Sequence, residues 1–176
     1  MKKCIHLDLN DKLIIRTTPD FKIYFVNDNF THITGINAEQ ALLKNLTEIL
    51  PFSMADLFHD VVKENIKENE PSYYILKGKT KHGDCYWGLM RITPFYSKLN
   101  GEKRYLFEIK MLPHNAEEES EKIYDVIEKV YLNAGHDFAK KYFEGYLEDQ
   151  NTDYEGFIFK TLGTNKKKIK KYFEIT

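Results

Sequence analysis

The chain has 176 residues, 42% of them hydrophobic and 14% aromatic, with 26 basic and 27 acidic residues that leave a formal net charge of -1. That is apolar surface for one sizeable core with a modest appendage, not for two large domains, and the near balance of charge gives no overall drive toward nucleic acid or an anionic membrane. The two cysteines, Cys4 and Cys85, stand far apart in no metal-ligand spacing and read as thiols of a reducing compartment with no disulfide framework.

Met1-Lys2-Lys3 is followed by too short and too interrupted an apolar stretch for a signal peptide, and no segment has the length to span a bilayer. A cytoplasmic protein is therefore expected, associated with a membrane only through a partner and not inserted directly.

From Lys12 to Val26 the chain reads as a β-hairpin: Leu13 to Thr18, a Pro19-Asp20 turn, then Phe21 to Val26, both runs rich in branched and aromatic residues. Asn27-Asp28-Asn29 is an Asx cluster that can cap a short helix through Thr34, with Gly35 as its stop. Asn37 followed by Gln40 has capping-box spacing and opens another short helix carrying Leu42 and Leu43. Ser53 is an expected N-cap for the longest helix of this half, where Met54, Leu57, Phe58, Val61, Val62 and Ile66 recur at helical spacing up to Asn69. On that helix Asp56 and Asp60 lie away from the apolar stripe and read as solvated charges.

Pro71 ends that helix. Tyr73 to Leu76 resumes extended structure, Lys81-His82-Gly83-Asp84 signals a hairpin, and Cys85 to Tyr96 forms the next strand. After Leu99-Asn100-Gly101 the last strand alternates, with Tyr105, Phe107, Ile109 and Met111 on one face. The expected fold class is α+β: a five-stranded antiparallel sheet with helices on one face, occupying residues 1–113 with its core in 13–112.

Residues 114–176 read as an all-helical C-terminal extension. Ile123, Val126, Ile127, Val130 and Tyr131 form one apolar stripe, and Phe138, Ala139, Tyr142, Phe143 and Tyr146 a second after Gly135. Asp153 and Asn165 are caps for two shorter helices, the last with a basic run, Lys166 to Lys168 and Lys170-Lys171, that reads as a solvated helix end. Helices of this length need packing to be stable in water, so Ile123, Ile127 and Val130 are expected to meet another helix, the sheet or a partner.

Ile23-Tyr24-Phe25-Val26-Asn27-Asp28-Asn29-Phe30, Ile33-Thr34-Gly35 and Lys81-His82-Gly83-Asp84-Cys85-Tyr86-Trp87, in this order of elements, resemble a PAS domain. The last string is similar to one in the aerotaxis-receptor branch, whose members sense redox state through bound flavin. The resemblance implies a sensor with a pocket between the sheet's inner face and the helices. The expected ligand-facing residues are Asn27, Phe58, Tyr86, Trp87 and Phe107. It makes FAD the first cofactor expected, through Asn27, and haem the second, through His59 on the long helix as proximal ligand. A core filled by side chains, with no cofactor, is the alternative.

The branch's Arg-His-Pro-Asp loop has no counterpart here, Ser72 stands where a tryptophan follows Glu-Pro, and Gly78 stands in place of a strand asparagine. The chain has no nucleophile elbow, Walker loop, paired-carboxylate site or kinase string, so a binding and signalling protein is expected rather than an enzyme. The expected role is to relay the state of a redox cofactor or small ligand to a separate chemoreceptor or other signalling protein, as in energy taxis. A cofactor-free dimerisation or docking module, as a homodimer or with a partner, is the alternative.

Overall fold

The computed structural model describes residues 4 to 174. In chain order β1 (Cys4–Ile5), β2 (Leu13–Thr17) and β3 (Ile23–Val26) precede four helices, α1 (Asp28–Thr34), α2 (Ala38–Ala41), α3 (Leu46–Ile49) and α4 (Ala55–Asn65). Then come β4 (Ser72–Lys79), β5 (Cys85–Tyr96) and β6 (Lys103–Met111), followed by α5 (His114–Ala134), α6 (His136–Asp149), α7 (Tyr154–Leu162) and α8 (Lys166–Glu174).

The expected five strands form one antiparallel sheet in the order β4-β5-β6-β2-β3. A sixth strand corrects the reading of the cysteines. β1 pairs parallel with the start of β5, setting Cys4 opposite Cys85, and the two are joined as a disulfide. Their separation of 81 residues hides this neighbourhood from any spacing rule.

Local signals account for most helix ends. Gly35 is left-handed at φ 72° and stops α1, and Asn37 and Gln40 form the reciprocal capping box of α2. Asp153 Oδ1 accepts from Gly156 N at the start of α7, and Asn165 Oδ1 accepts from Lys168 N at the start of α8. The expected Ser53 cap is absent. Met54, left-handed at φ 53°, leads into α4 without a side-chain cap, and the helix stops at Asn65 and not at Asn69.

Cross-strand register sorts the sheet's side chains into two faces. One carries Tyr74, Met90 and Ile109 in line, with Ile92 and Phe107 beside them and Gly78 opposite Tyr86. This inner face is covered by the helices of the N-terminal half and by the turn between β2 and β3: Tyr74 OH donates to Val62 O of α4, and the ring of Phe21 in that turn packs edge-on to Phe107 at 5.9 Å. The outer face carries Tyr73, Arg91 and Glu108 in line, Ile75, Leu89 and Lys110 in line, and Lys77 opposite Trp87.

The C-terminal helices, whose position the sequence left open, cover that outer face. Trp87 packs edge-on against Tyr124 of α5, and Tyr73 and Arg91 lie against Phe173 of α8. The free edge of β4 is closed as well: Phe52 N donates to Lys77 O, Lys79 N to Leu50 O, and Ile75 N to Tyr154 OH. An open edge would be a template for pairing with other chains, and here the α3–α4 connection and α7 remove it.

Candidate functional site

Between the inner face and its helices the space is filled. Tyr74, Tyr86, Phe107, Phe30 and Ile15 are among the largest fully buried side chains. The Tyr86 ring lies flat over Gly78, so close that a Cβ on that glycine would meet ring Cζ at 2.2 Å. The Tyr86 hydroxyl is buried without a partner, and burial pushes its ionisation well above the ordinary tyrosine value.

The cofactors implied by the resemblance do not fit these residues. Asn27 uses its side chain within the fold: Oδ1 accepts from Ile14 N and Phe30 N, and Nδ2 donates to Lys12 O. It pins α1 to β2, and its oxygen and one amide hydrogen are committed to that role. Trp87 is on the outer face, away from the inner-face residues Tyr86 and Phe107. His59 sits edge-on to Phe21 beside Asp60 with a side chain 36% exposed, and it is not among the residues lining the cavity next to α4.

The structure instead brings candidate side chains together at the seam between α4 and the C-terminal helices. Phe58 lines this seam with Leu57 and Val61, facing Ile123 and Ile127 of α5, Phe143 of α6 and Tyr154 of α7. Ile127 and Ala139 are buried with Met54 and Leu57, and Ile123 and Val130 pack against that cluster. The expected apolar stripe of α5 is thus covered by the protein's own fold, with one correction: Val126 is left exposed. Phe138 and Tyr142 are exposed too, because α6 offers only its Ala139 and Phe143 side to α4 and α7.

Around this apolar contact runs a line of polar latches. Asp56 accepts from Tyr131 OH at 2.8 Å, Asp60 meets His136 at 2.9 Å, Glu64 pairs with Lys140, and Lys67 pairs with Glu155 of α7. Asp56, Asp60 and Glu64 are spaced i, i+4, i+8, one stripe of α4. They do face away from the core of their own half, and each meets a partner from the extension while staying partly or largely open to water. Ser53, freed from capping, donates to Glu128 Oε1 at 2.6 Å and so receives the proton of Tyr124 OH, also 2.6 Å away. Burial pushes Tyr124 up to about 12.

At the outer-face end of the seam the Lys77 ammonium bonds Glu121 at 2.8 Å and lies 5.4 Å from the ring centroids of Phe52 and Trp87 and 4.8 Å from that of Tyr124. Trp87 Nε1 donates to the other Glu121 oxygen at 2.8 Å. Sequence reasoning missed Glu121 and Ser53 as docking residues. The signal available was Glu121 standing three residues before Tyr124, a spacing that sets the two side chains next to each other on α5.

His136 makes one of the latches pH-dependent. Its hydrogen bond to Asp137, helped by Asp56 and Asp60 nearby, raises its pKa above the ordinary 6.5 despite opposing desolvation. A raised folded-state pKa adds stability that is fully present below the unfolded value and lost as pH rises through the folded one; Asp137 belongs to α6 itself, so only the share from Asp56 and Asp60 of α4 acts on docking. Raising the pH from roughly 6 to 8 is expected to loosen α6 by less than about 1 kcal/mol, since the ring is partly exposed. Amide exchange of residues 136–149 in wild type and His136→Gln checks this. Equal pH dependence in both proteins would refute it.

Among the described residues no helix is long and apolar enough to cross a membrane, and no group of three or more His, Cys, Asp or Glu side chains could hold a metal ion. A sequence profile of the PAS domain family matches residues 10–110. No curated protein sequence matches significantly. Among solved structures, the PAS domain of an HTR-like protein from Haloarcula marismortui aligns with a TM-score of 0.51 at 16% identity, over 58% of this chain and 83% of that one. A PAS domain from Colwellia psychrerythraea aligns with the same TM-score at 15% identity, over 60% of this chain and 90% of that one. Both likenesses concern the fold. Members of the family are generally sensory and signalling modules, and with more than half of its length matched by the profile the chain belongs to the PAS domain family.

Proposed function

We propose that this protein is a signalling relay whose output element is the α5–α6 part of its own helical cap, docked on α4 in one state and offered to a separate signalling protein in the other. The observation that carries this reading is the composition of the seam. A small apolar cluster, Met54, Leu57, Ile127 and Ala139, is ringed by solvent-reachable polar latches. Surface pairs of this kind contribute little each, so a modest signal can shift α5 and α6 along this seam, while α7 and α8 stay anchored by Tyr154, Ile158, Ile169 and Phe173 in the main core. The partner is a chemoreceptor or another signalling protein acting in trans, and the relay has no catalytic step. The filled interior and the bonding of Asn27 support a PAS domain that does not depend on flavin or haem.

Replacing Ile127 and Val130 by Ser tests the reading. Burial of Ile127 in the seam predicts a loss of about 2–3 kcal/mol from removing its apolar contacts, read by denaturant unfolding. Hydrogen exchange is expected to rise in α5 and α6 while β2 to β6 stay protected. Uniform loss of protection across the chain would make the cap an inseparable part of the core and remove the relay.

A further inference from the structure

Between α4, β4 and α5 to α7 lies a cavity of about 110 Å³, walled by Leu57, Phe58, Val61, Ile75, Ile123 and Ile127. Its polar lining is mostly engaged: Ser53 and Tyr124 bond each other, and Lys77 is taken by Glu121. Ser120 differs. It is 3% exposed, it lines the cavity, and its Oγ has no hydrogen-bond partner.

A buried hydroxyl without a partner is costly, and in native structures such groups point to something that completes them. A water molecule would need two to four polar partners, and beside Ser120 the polar lining, Ser53, Lys77, Trp87, Tyr124 and Tyr154, is already engaged elsewhere. A carboxylate would lose its hydration with no free cation to replace it, because the only lysine in the lining is already paired. At about 110 Å³ the space is smaller than the roughly 150 Å³ cavity that accepts benzene, which limits an occupant to a single six-membered ring.

We propose that this seam is a binding site for a neutral single-ring aromatic molecule bearing one hydroxyl or carbonyl oxygen, its ring between α4 and α5 and its oxygen on Ser120. The occupant touches the PAS domain and the cap together, so it favours the docked state. That consequence rests on the relay reading; the binding itself does not.

Phenol, benzene and benzoate are the probes, titrated into the full chain and followed by amide chemical shifts and hydrogen exchange. Phenol is expected to bind saturably, shifting Phe58, Ser120 and Ile123 and adding protection to α5 through α7, while benzoate does not bind. Ser120→Ala is expected to weaken phenol roughly 3- to 10-fold, the effect of one hydrogen bond, and to leave benzene unchanged. Ile123→Phe, which fills the space from a partly exposed position, should abolish both. Absence of saturable phenol binding, shifts confined to other regions, or equal phenol affinity in Ser120→Ala would each overturn the site. Saturable binding at Ser120 without added protection of the cap would support the site and refute the relay.

Discussion

A Gly78→Val substitution is expected to destabilise the protein by about 3 kcal/mol and to lower its thermal midpoint by roughly 6–12 °C. A Cβ at position 78 would lie 2.2 Å from Tyr86 Cζ and 2.6 Å from each Cε, well inside van der Waals contact with the ring. Tyr86 has no exposed surface to move into, and Pro51 bridges Gly78 from the other side. Relief requires the ring to leave a close-packed interior or β4 to part from β5. Gly78→Ala should show the same direction at about half the size, and Tyr86→Leu in the Gly78→Val background should recover part of the loss. A Tyr86→Phe control removes only a buried, unpartnered hydroxyl and is expected to be neutral or slightly stabilising. Gly78→Val within about 1 kcal/mol of wild type by urea unfolding would mean that the ring does not occupy this space. The same pair bears on the flavin expectation: where the resemblance implies a strand asparagine the chain has Gly78, and the Tyr86 ring occupies the space beside it.

The sheet and the first helices were legible because their signals are local. Branched and aromatic runs, the Asn27 and Asn37 caps and the Gly35 stop act within a few residues and survive into the fold. The site was half legible. Strand alternation forbids the consecutive Tyr86 and Trp87 from sharing a pocket, so the sequence already contained the argument that separates them. Asp56 and Asp60 point where a helical wheel puts them, but their partners Tyr131 and His136 come some 75 residues later, and no periodicity announces that pairing. Ser53 had two possible tasks, capping α4 or binding the extension, and only the tertiary position of Glu128 decides between them. Cys4 and Cys85 meet through a two-residue parallel strand too short to carry a pattern.

Removing the carboxylate of Glu108 by Glu108→Ala is expected to cost about 3 kcal/mol and to free α8. In sequence this residue reads as the polar side of an alternating strand, yet its side chain is 7% exposed and bonds Lys12 at 2.7 Å and Arg91 at 2.6 Å. Arg91 in turn lies 4.6 Å from the centroid of the Phe173 ring, and Lys12 and Lys110 donate to the Phe173 and Tyr172 carbonyls that end α8. Cations suit the negative end of a helix dipole, so the group docks α8 as long as its mutual repulsion is neutralised. Burial, then the charge of Lys12, already lowers the pKa of Lys110. Without Glu108, the three cations stay crowded beneath the helix, and partial exposure of Lys12 keeps the penalty toward the low end for a broken buried pair. The double replacement Glu108→Leu with Arg91→Met removes charge of both signs and is expected to recover most of the stability, though not the stacking on Phe173. Limited proteolysis at 163–165, between α7 and α8, reads release of the last helix directly. An unchanged cleavage rate together with wild-type unfolding in Glu108→Ala would show that the carboxylate does not hold α8, and that the outer face keeps its cap by apolar contact alone.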